Sequence, residues 1–280
     1  MINRIVTGTI LFLIVIICLI YLPLNFIALI VTAVFIYAFY EWLSITEAKN
    51  LTKITSILTL VSIMYITHQF PEIFYLPVLL LGIALWSVVG FLIVFSPKKI
   101  FQLIKILPNI LGMFILFISW YSIIFIGNRY SSLFLNDELT SLFTHNNTQV
   151  IGYIVFVIAL VSLSDISGYV IGKAYGVIKL CPNISPNKTI EGFIGSIVLP
   201  CLLFFLYLIV YREYSLILLD FIFLVICCIA CTLGDLTVSC LKRCFDKKDS
   251  GSLLPGHGGL LDRLDSYLPS IIIFQYWMFA

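Results

Sequence analysis

Apolar residues form long unbroken runs along this chain, and polar residues gather in short stretches between them. The runs lie near 5–22, 24–43, 54–68, 75–95, 106–127, 149–171, 190–211, 215–238 and 266–280, the third and ninth being short. About 20 consecutive apolar residues cross a bilayer as a helix. A helix can do this because it satisfies its own backbone hydrogen bonds where no water can. The runs are continuous, not alternating, which excludes a transmembrane β-barrel. The pattern predicts an all-α, polytopic transmembrane helical bundle of about nine spans.

Composition agrees. The 280 residues are 61% hydrophobic, against about 45–50% in soluble domains. Arg4 precedes the first run as in a signal peptide. No small-x-small cleavage site follows it, so the run reads as a retained first span. Nine spans place the termini on opposite faces. On this map 14 of the 16 lysines and arginines fall on one face and only Arg129 and Arg212 on the other. By the positive-inside rule the crowded face, and with it the N-terminus, is cytoplasmic. The segment 128–148 on the other face reads as solvated loop. The net charge of +2 sits in loops and calls for no nucleic-acid partner. Eight cysteines are present, and Cys227, Cys228 and Cys231 lie in an apolar run without histidine. They read as small apolar filler.

Between Asp235 and Asp265 the character changes, with ten charged side chains in 31 residues against 11% for the whole chain. Charge beside a bilayer is costly and marks a functional site. Read as a helix, Asp235, Ser239, Lys242 and Asp246 fall at i, i+4, i+7 and i+11, on one face. Lys242 and Arg243 also suit a helix C-terminus, but that does not account for Asp235 deeper in the apolar run. A glycine-rich loop around His257 follows, with Gly258 and Gly259 leading into Asp262, Arg263 and Asp265. Glycines permit close backbone approach, and amides at a helix start seat anions. Asp262 and Asp265, three apart, are expected on neighbouring positions of one helix face.

A third polar segment joins these. Asp165 ends the sixth apolar run, and Lys188 stands just before a helix expected from Thr189, capped by Ser185 or Asn187. A lysine at a helix start opposes the dipole and is expected to face an anion. Carboxylates from separate segments, ringed by cations, suit a hard oxygen-loving metal such as magnesium with phosphates. That argues for phosphoryl or nucleotidyl transfer. Glu41, His68 and Glu72 are given no role. Almost all the chemistry lies after residue 160, which suggests an N-terminal scaffold (1–148) and a C-terminal catalytic half (149–280).

The unbroken pattern Ser239-Cys240-Leu241-Lys242-Arg243, Lys248-Asp249 and His257-Gly258-Gly259-Leu260-Leu261-Asp262-Arg263-Leu264-Asp265 resembles the signature of the phosphatidate cytidylyltransferase family (CDP-diacylglycerol synthases). Ser185-Pro186-Asn187-Lys188-Thr189-Ile190-Glu191-Gly192 resembles a second family segment, with Asn187 where a lysine is frequent, and Asp165-Ile166-Ser167-Gly168-Tyr169 a third, more loosely. The resemblance covers roughly residues 150–270. It implies attack of the phosphate of phosphatidic acid on the α-phosphorus of CTP, releasing pyrophosphate and forming CDP-diacylglycerol.

The resemblance also assigns roles. Asp235 and Asp262 become metal-bridging and catalytic carboxylates holding Mg2+, with K+ as a monovalent partner. Lys242 and Arg243 join them in catalysis. By the same resemblance Lys188 and Arg263 hold substrate phosphate; the reading of the residues adds Ser239, His257, Gly258 and Gly259 to that set, supported by Asp165 and Asp265. The resemblance implies a homodimer and a multi-pass protein of the bacterial inner membrane with its site on the cytoplasmic side. The alternative, a transporter or channel for an anionic solute, predicts duplicated halves with broken helices near the midplane. No internal repeat is evident, and the charges gather in one half.

Overall fold

The computed structural model describes residues 14–19, 21–134, 147–211, 217–253 and 258–279. Ten helices follow residues 14–19, themselves helical: α1 (Leu24–Ile45), α2 (Asn50–Gln69), α3 (Pro71–Phe95), α4 (Pro97–Ile106), α5 (Pro108–Phe134), α6 (Asn147–Tyr175), α7 (Ile190–Tyr211), α8 (Ile217–Cys244), α9 (Leu261–Leu264) and α10 (Tyr267–Phe279). Between α6 and α7 stands an antiparallel hairpin, β1 (Lys179–Cys181) and β2 (Ser185–Thr189), with Lys179 opposite Thr189. The protein is an all-α, multi-pass membrane protein. Among the described residues six helices, α1, α2, α3, α5, α6 and α8, are long and apolar enough to cross a membrane. A shorter apolar stretch, Ile190–Leu206, and the 13-residue α10 complete the bundle. The first expected span, 5–22, lies largely outside the described residues, as does most of the expected loop 128–148.

Three local expectations change. The third apolar run, expected to be short, is a full 20-residue helix. Its hydroxyls do not break it: Thr55, Thr59 and Ser62 donate to the carbonyls of Thr52, Thr55 and Leu58, a habit of Ser and Thr that keeps a polar side chain quiet within a helix. Helix α4 was not expected. Ile100 and Ile104 are fully buried against the bundle while Lys98, Lys99 and Lys105 point outward, the pattern of an interfacial amphipathic helix. The segment 185–189 is a strand and not a helix start; the cap is Thr189 itself, whose hydroxyl accepts from the Gly192 amide at 3.1 Å.

Buried side chains form two clusters. The larger joins α1–α5 to the ends of α8 and α10; the smaller joins α6, α7, α8 and α10. Helices α6 and α7 approach most closely along a stripe of small residues. A methyl group at Gly192 would stand 2.8 Å from the Gly168 carbonyl oxygen and 3.0 Å from the Gly172 Cα, and Ser164 donates across the seam to the Ser196 carbonyl at 2.8 Å. Where lipid supplies no hydrophobic drive, such close backbone contact holds helices together. Gly192→Ala is expected to cost about 1–3 kcal/mol by overpacking, read as a lowered melting temperature of the detergent-purified protein.

The chain ends of these helices converge on one face. Trp42 of α1, fully buried, donates to the Pro108 carbonyl at 2.8 Å, and the Cys244 thiol of α8 points to the Phe101 carbonyl of α4. Helices α1 and α8 stop in the same way. Glu47 and Asp246 adopt left-handed φ of 55° and 53°. Ala48 and Lys247, next in line, donate back to Leu43 and Lys242. This is a Schellman closure, and the two stops are tied by the Lys247–Glu47 ion pair at 2.8 Å. Asp246 therefore terminates α8 and leaves the face shared by Asp235, Ser239 and Lys242. The opposite face carries the Arg129–Glu72 pair at 3.0 Å.

Candidate functional site

The polar island folds into two acid–lysine couples on the face where the helix ends converge. Asp235 lies on α8, two turns before its end. One of its carboxylate oxygens accepts from Ser239, four residues on, at 3.1 Å, and the other from Lys188 of β2 at 2.6 Å. The hairpin delivers Lys188 to this point, and the anion expected opposite that lysine is a carboxylate of the chain itself. Lys242, one further turn along the same stripe of α8, pairs with Asp262 at 2.6 Å, and its charge also acts on Asp235. Lys242 thus stands between the two carboxylates singled out in the sequence. They differ in access: the Asp235 side chain is 31% exposed and that of Asp262 is 10% exposed.

Asp262 is held from three sides. Beyond Lys242, it accepts from the backbone amides of Ser250 at 2.8 Å and Gly259 at 3.2 Å. The Gly258 backbone turns with a φ of +85°, and a methyl group there would stand 2.7 Å from the Asp262 carboxylate. The neighbouring amides of Leu260 and Leu261 donate to Glu41 at 3.0 and 2.8 Å. The loop amides, expected to seat an anion, donate here to the chain's own carboxylates. His257 lies outside the described residues. Arg243 extends along the Lys247 carbonyl at 3.5 Å, and Arg263 is carried on the single turn of α9.

Asp265 follows Asp262 on one helical turn, its amide donating to the Leu261 carbonyl at 3.1 Å, but its carboxylate has partners of its own and accepts from the Ser266 amide at 2.9 Å. Helix α9 is four residues long, and the chain turns before α10. The turn carries Asp265 towards Asp235 and Asp165, and Ser266 donates to Asp165 at 3.2 Å. Burial pushes the Asp265 carboxyl well above the usual carboxylate range, and the charges of Asp235 and Asp165 push in the same direction. The residues form a graded arrangement. Asp265, buried, and Asp165, exposed, lie beside Asp235; Lys188 pairs with Asp235, Lys242 stands next along α8, and Asp262 closes the loop side.

Among the described residues no three His, Cys, Asp or Glu side chains cluster tightly enough to form a complete metal cage. Magnesium does not require one, since it takes one or two carboxylates and fills its shell with water and substrate phosphate. The donors present are carboxylate oxygens, the right kind for such an ion.

Comparison with known proteins is decisive for the family. The cytidylyltransferase family model matches residues 2–280. The chain belongs to the cytidylyltransferase family. It is 44% identical over 131 residues to a phosphatidate cytidylyltransferase of Bacillus subtilis, covering 46% of this chain and 47% of that protein. It is 44% identical over 117 residues to one of Staphylococcus saprophyticus, 41% of this chain and 45% of that protein. With one of Staphylococcus aureus it shares 36% identity over 197 residues, 65% of this chain and 74% of the relative. The first two matches thus span about half the length of the relatives.

In this family member the sequence reading missed Glu41, although it is 3% exposed and meets the signature loop directly. One signal was available. A lone acid inside an apolar run, Phe39-Tyr40-Glu41-Trp42-Leu43, sits too deep to be left without partners. What no local pattern could supply is the partner, some 220 residues away.

Proposed function

We propose that this protein is a phosphatidate cytidylyltransferase. A phosphate oxygen of phosphatidic acid bonds to the α-phosphorus of CTP, the bond to the β-phosphate breaks, and pyrophosphate leaves as CDP-diacylglycerol forms. The observation that carries the reading is the pair of acid–lysine couples, Lys188–Asp235 and Lys242–Asp262, at one face of the bundle. The family to which the chain belongs supports the nucleotide, and the names of its relatives support the lipid.

The lipid phosphate is itself the nucleophile, so the protein's work is positioning and charge neutralisation. Lys188 and Lys242 are close-range cations able to swing from carboxylate to phosphate, since a lysine carries a point charge on a flexible stem. Ser239 keeps Asp235 oriented as Lys188 moves. Lys242 lies between Asp235 and Asp262 and reports the charge of an arriving anion to both. Asp235 and Asp262 would hold magnesium, with potassium as a monovalent partner; the divalent ion supplies neutralisation of the triphosphate. The face bearing the site also bears Lys98, Lys99, Lys105 and Lys247. We place it in the cytoplasm, where CTP arrives from water and phosphatidic acid from the leaflet, both drawn by a basic rim.

Purified protein is expected to release pyrophosphate from CTP only when phosphatidic acid is present, and to stop when EDTA removes divalent metal. Release without the lipid, or none with it, would sink the reading. Flux of an anionic solute across proteoliposomes without release would favour the transporter.

A further inference from the structure

Glu41 belongs to the half of the chain that carries almost none of the signature, yet it is buried at the site with three donors from the signature loop. One of its oxygens accepts from the Leu261 amide at 2.8 Å and the Ser250 hydroxyl at 3.1 Å; the other accepts from the Leu260 amide at 3.0 Å. No lysine or arginine among the described residues pairs with it. A buried carboxylate without a cation is tolerable only where donors surround it, and here the donors come from the loop. Two glycines show how close the approach is. A methyl group at Gly259 would stand 2.5 Å from one Glu41 oxygen, and one at Gly251 would stand 2.5 Å from the other.

Ser250 joins Glu41 to Asp262. Its hydroxyl donates to Glu41 and accepts from the Asp262 amide at 3.3 Å, and its own amide donates to the Asp262 carboxylate at 2.8 Å. The path runs Glu41, Ser250, Asp262, Lys242, each link a direct hydrogen bond or ion pair. At the other end, Glu41 is immobilised by its neighbour: Trp42 locks α1 to the first residue of α5.

We infer that Glu41 is a positioning residue of the transferase, a fixed post in the α1–α5 scaffold that sets Ser250 and residues 259–261 and thereby the place of Asp262 and Lys242. It touches no substrate; it acts through Ser250 and the amides of Leu260 and Leu261. The inference deepens the proposed function and rests on it for its kinetic arm only.

The test compares wild type, Glu41→Gln and Ser250→Ala as full-length purified proteins. Glutamine offers one acceptor oxygen in place of two, so its NH2 group must face a loop donor. In Glu41→Gln, kcat is expected to fall by about 10²-fold, the cost of misplacing a catalytic group by an ångström, with KM for CTP changed far less. Amide exchange at Ser250 and residues 259–261 is expected to quicken about tenfold, while α1 and α5 stay protected. Ser250→Ala, which removes the bridge without burying a mismatch, is expected to move kcat and exchange in the same direction by less.

Two results would overturn the inference. One is a lowered yield or melting temperature with wild-type kcat per folded molecule and unchanged loop exchange. The other applies if Glu41→Gln does not fold: then wild-type kcat and exchange in Ser250→Ala decide against it. If wild type itself releases no pyrophosphate, the proposed function fails, and the exchange comparison still reads the clamp.

Discussion

Asp235→Asn is expected to lower pyrophosphate release by more than about 10³-fold, above the loss seen when one preorganised polar group is removed from a site, while the protein still inserts and elutes as wild type. Asparagine is the same size and its oxygen still accepts from Ser239. It has no charge to hold Lys188, which loses a partner now at 2.6 Å, and it is a poor donor for a divalent ion. Asp262→Ala is expected to reach the same loss by a different route. It frees Lys242 and leaves the amides of Ser250 and Gly259 without their shared acceptor. The double variant is expected to be no worse than either single one, since groups acting as a unit are strongly non-additive. The measurement is phosphatidate-dependent release from CTP, with gel filtration to show folding; near-wild-type turnover in the double variant would refute both assignments.

Gly234→Ala carries the second large effect, although it adds one methyl group and changes no charge. That methyl would stand 2.0 Å from the Asp265 carbonyl oxygen and 2.8 Å from the Pro269 ring. Backbone and a proline ring cannot swing away as a flexible side chain can, so α8 and the turn before α10 must separate. The separation falls between Asp235, the next residue, and Asp265, which the turn carries against it. The expected cost is about 1–3 kcal/mol of stability and about 10²-fold in kcat. A control change on the lipid face of the same helix, Leu219→Ala, is expected to leave kcat unaltered, because Leu219 is exposed and far from the site. Wild-type turnover in Gly234→Ala would show that α8 and the turn need not touch.

Much of the site was legible because it is local. Asp235, Ser239 and Lys242 share a stripe by helical spacing alone, and the structure places them so. The signature around Gly258, Gly259 and Asp262 is contiguous, so its resemblance to the cytidylyltransferases could be read without coordinates. Asp246 leaves that stripe because α8 ends at Cys244 and the backbone turns left-handed at Asp246, closed by the Lys247 amide on the Lys242 carbonyl, a stop the helical period alone does not mark. Asp262 and Asp265 follow each other on the single turn of α9 and its cap, but that their carboxylates serve different partners, Lys242 and the loop amides for one and the Ser266 amide for the other, depends on the packing. Helix α4 was hidden between two apolar runs, where its period of 3.6 is outweighed by their continuity.

By itself the sequence determined that the chain lives in a bilayer, that its helices are the crossing elements, and which polar residues had to be kept for chemistry. These follow from transfer energies and helical period, which act residue by residue. Tertiary structure alone decided which lysine meets which carboxylate, that the amides of the glycine loop serve Glu41 and Asp262, and that the first long helix supplies a post for a loop some 220 residues later. Buried charges are satisfied by whatever donor the packing brings within about 3 Å, and that distance is set by the bundle as a whole.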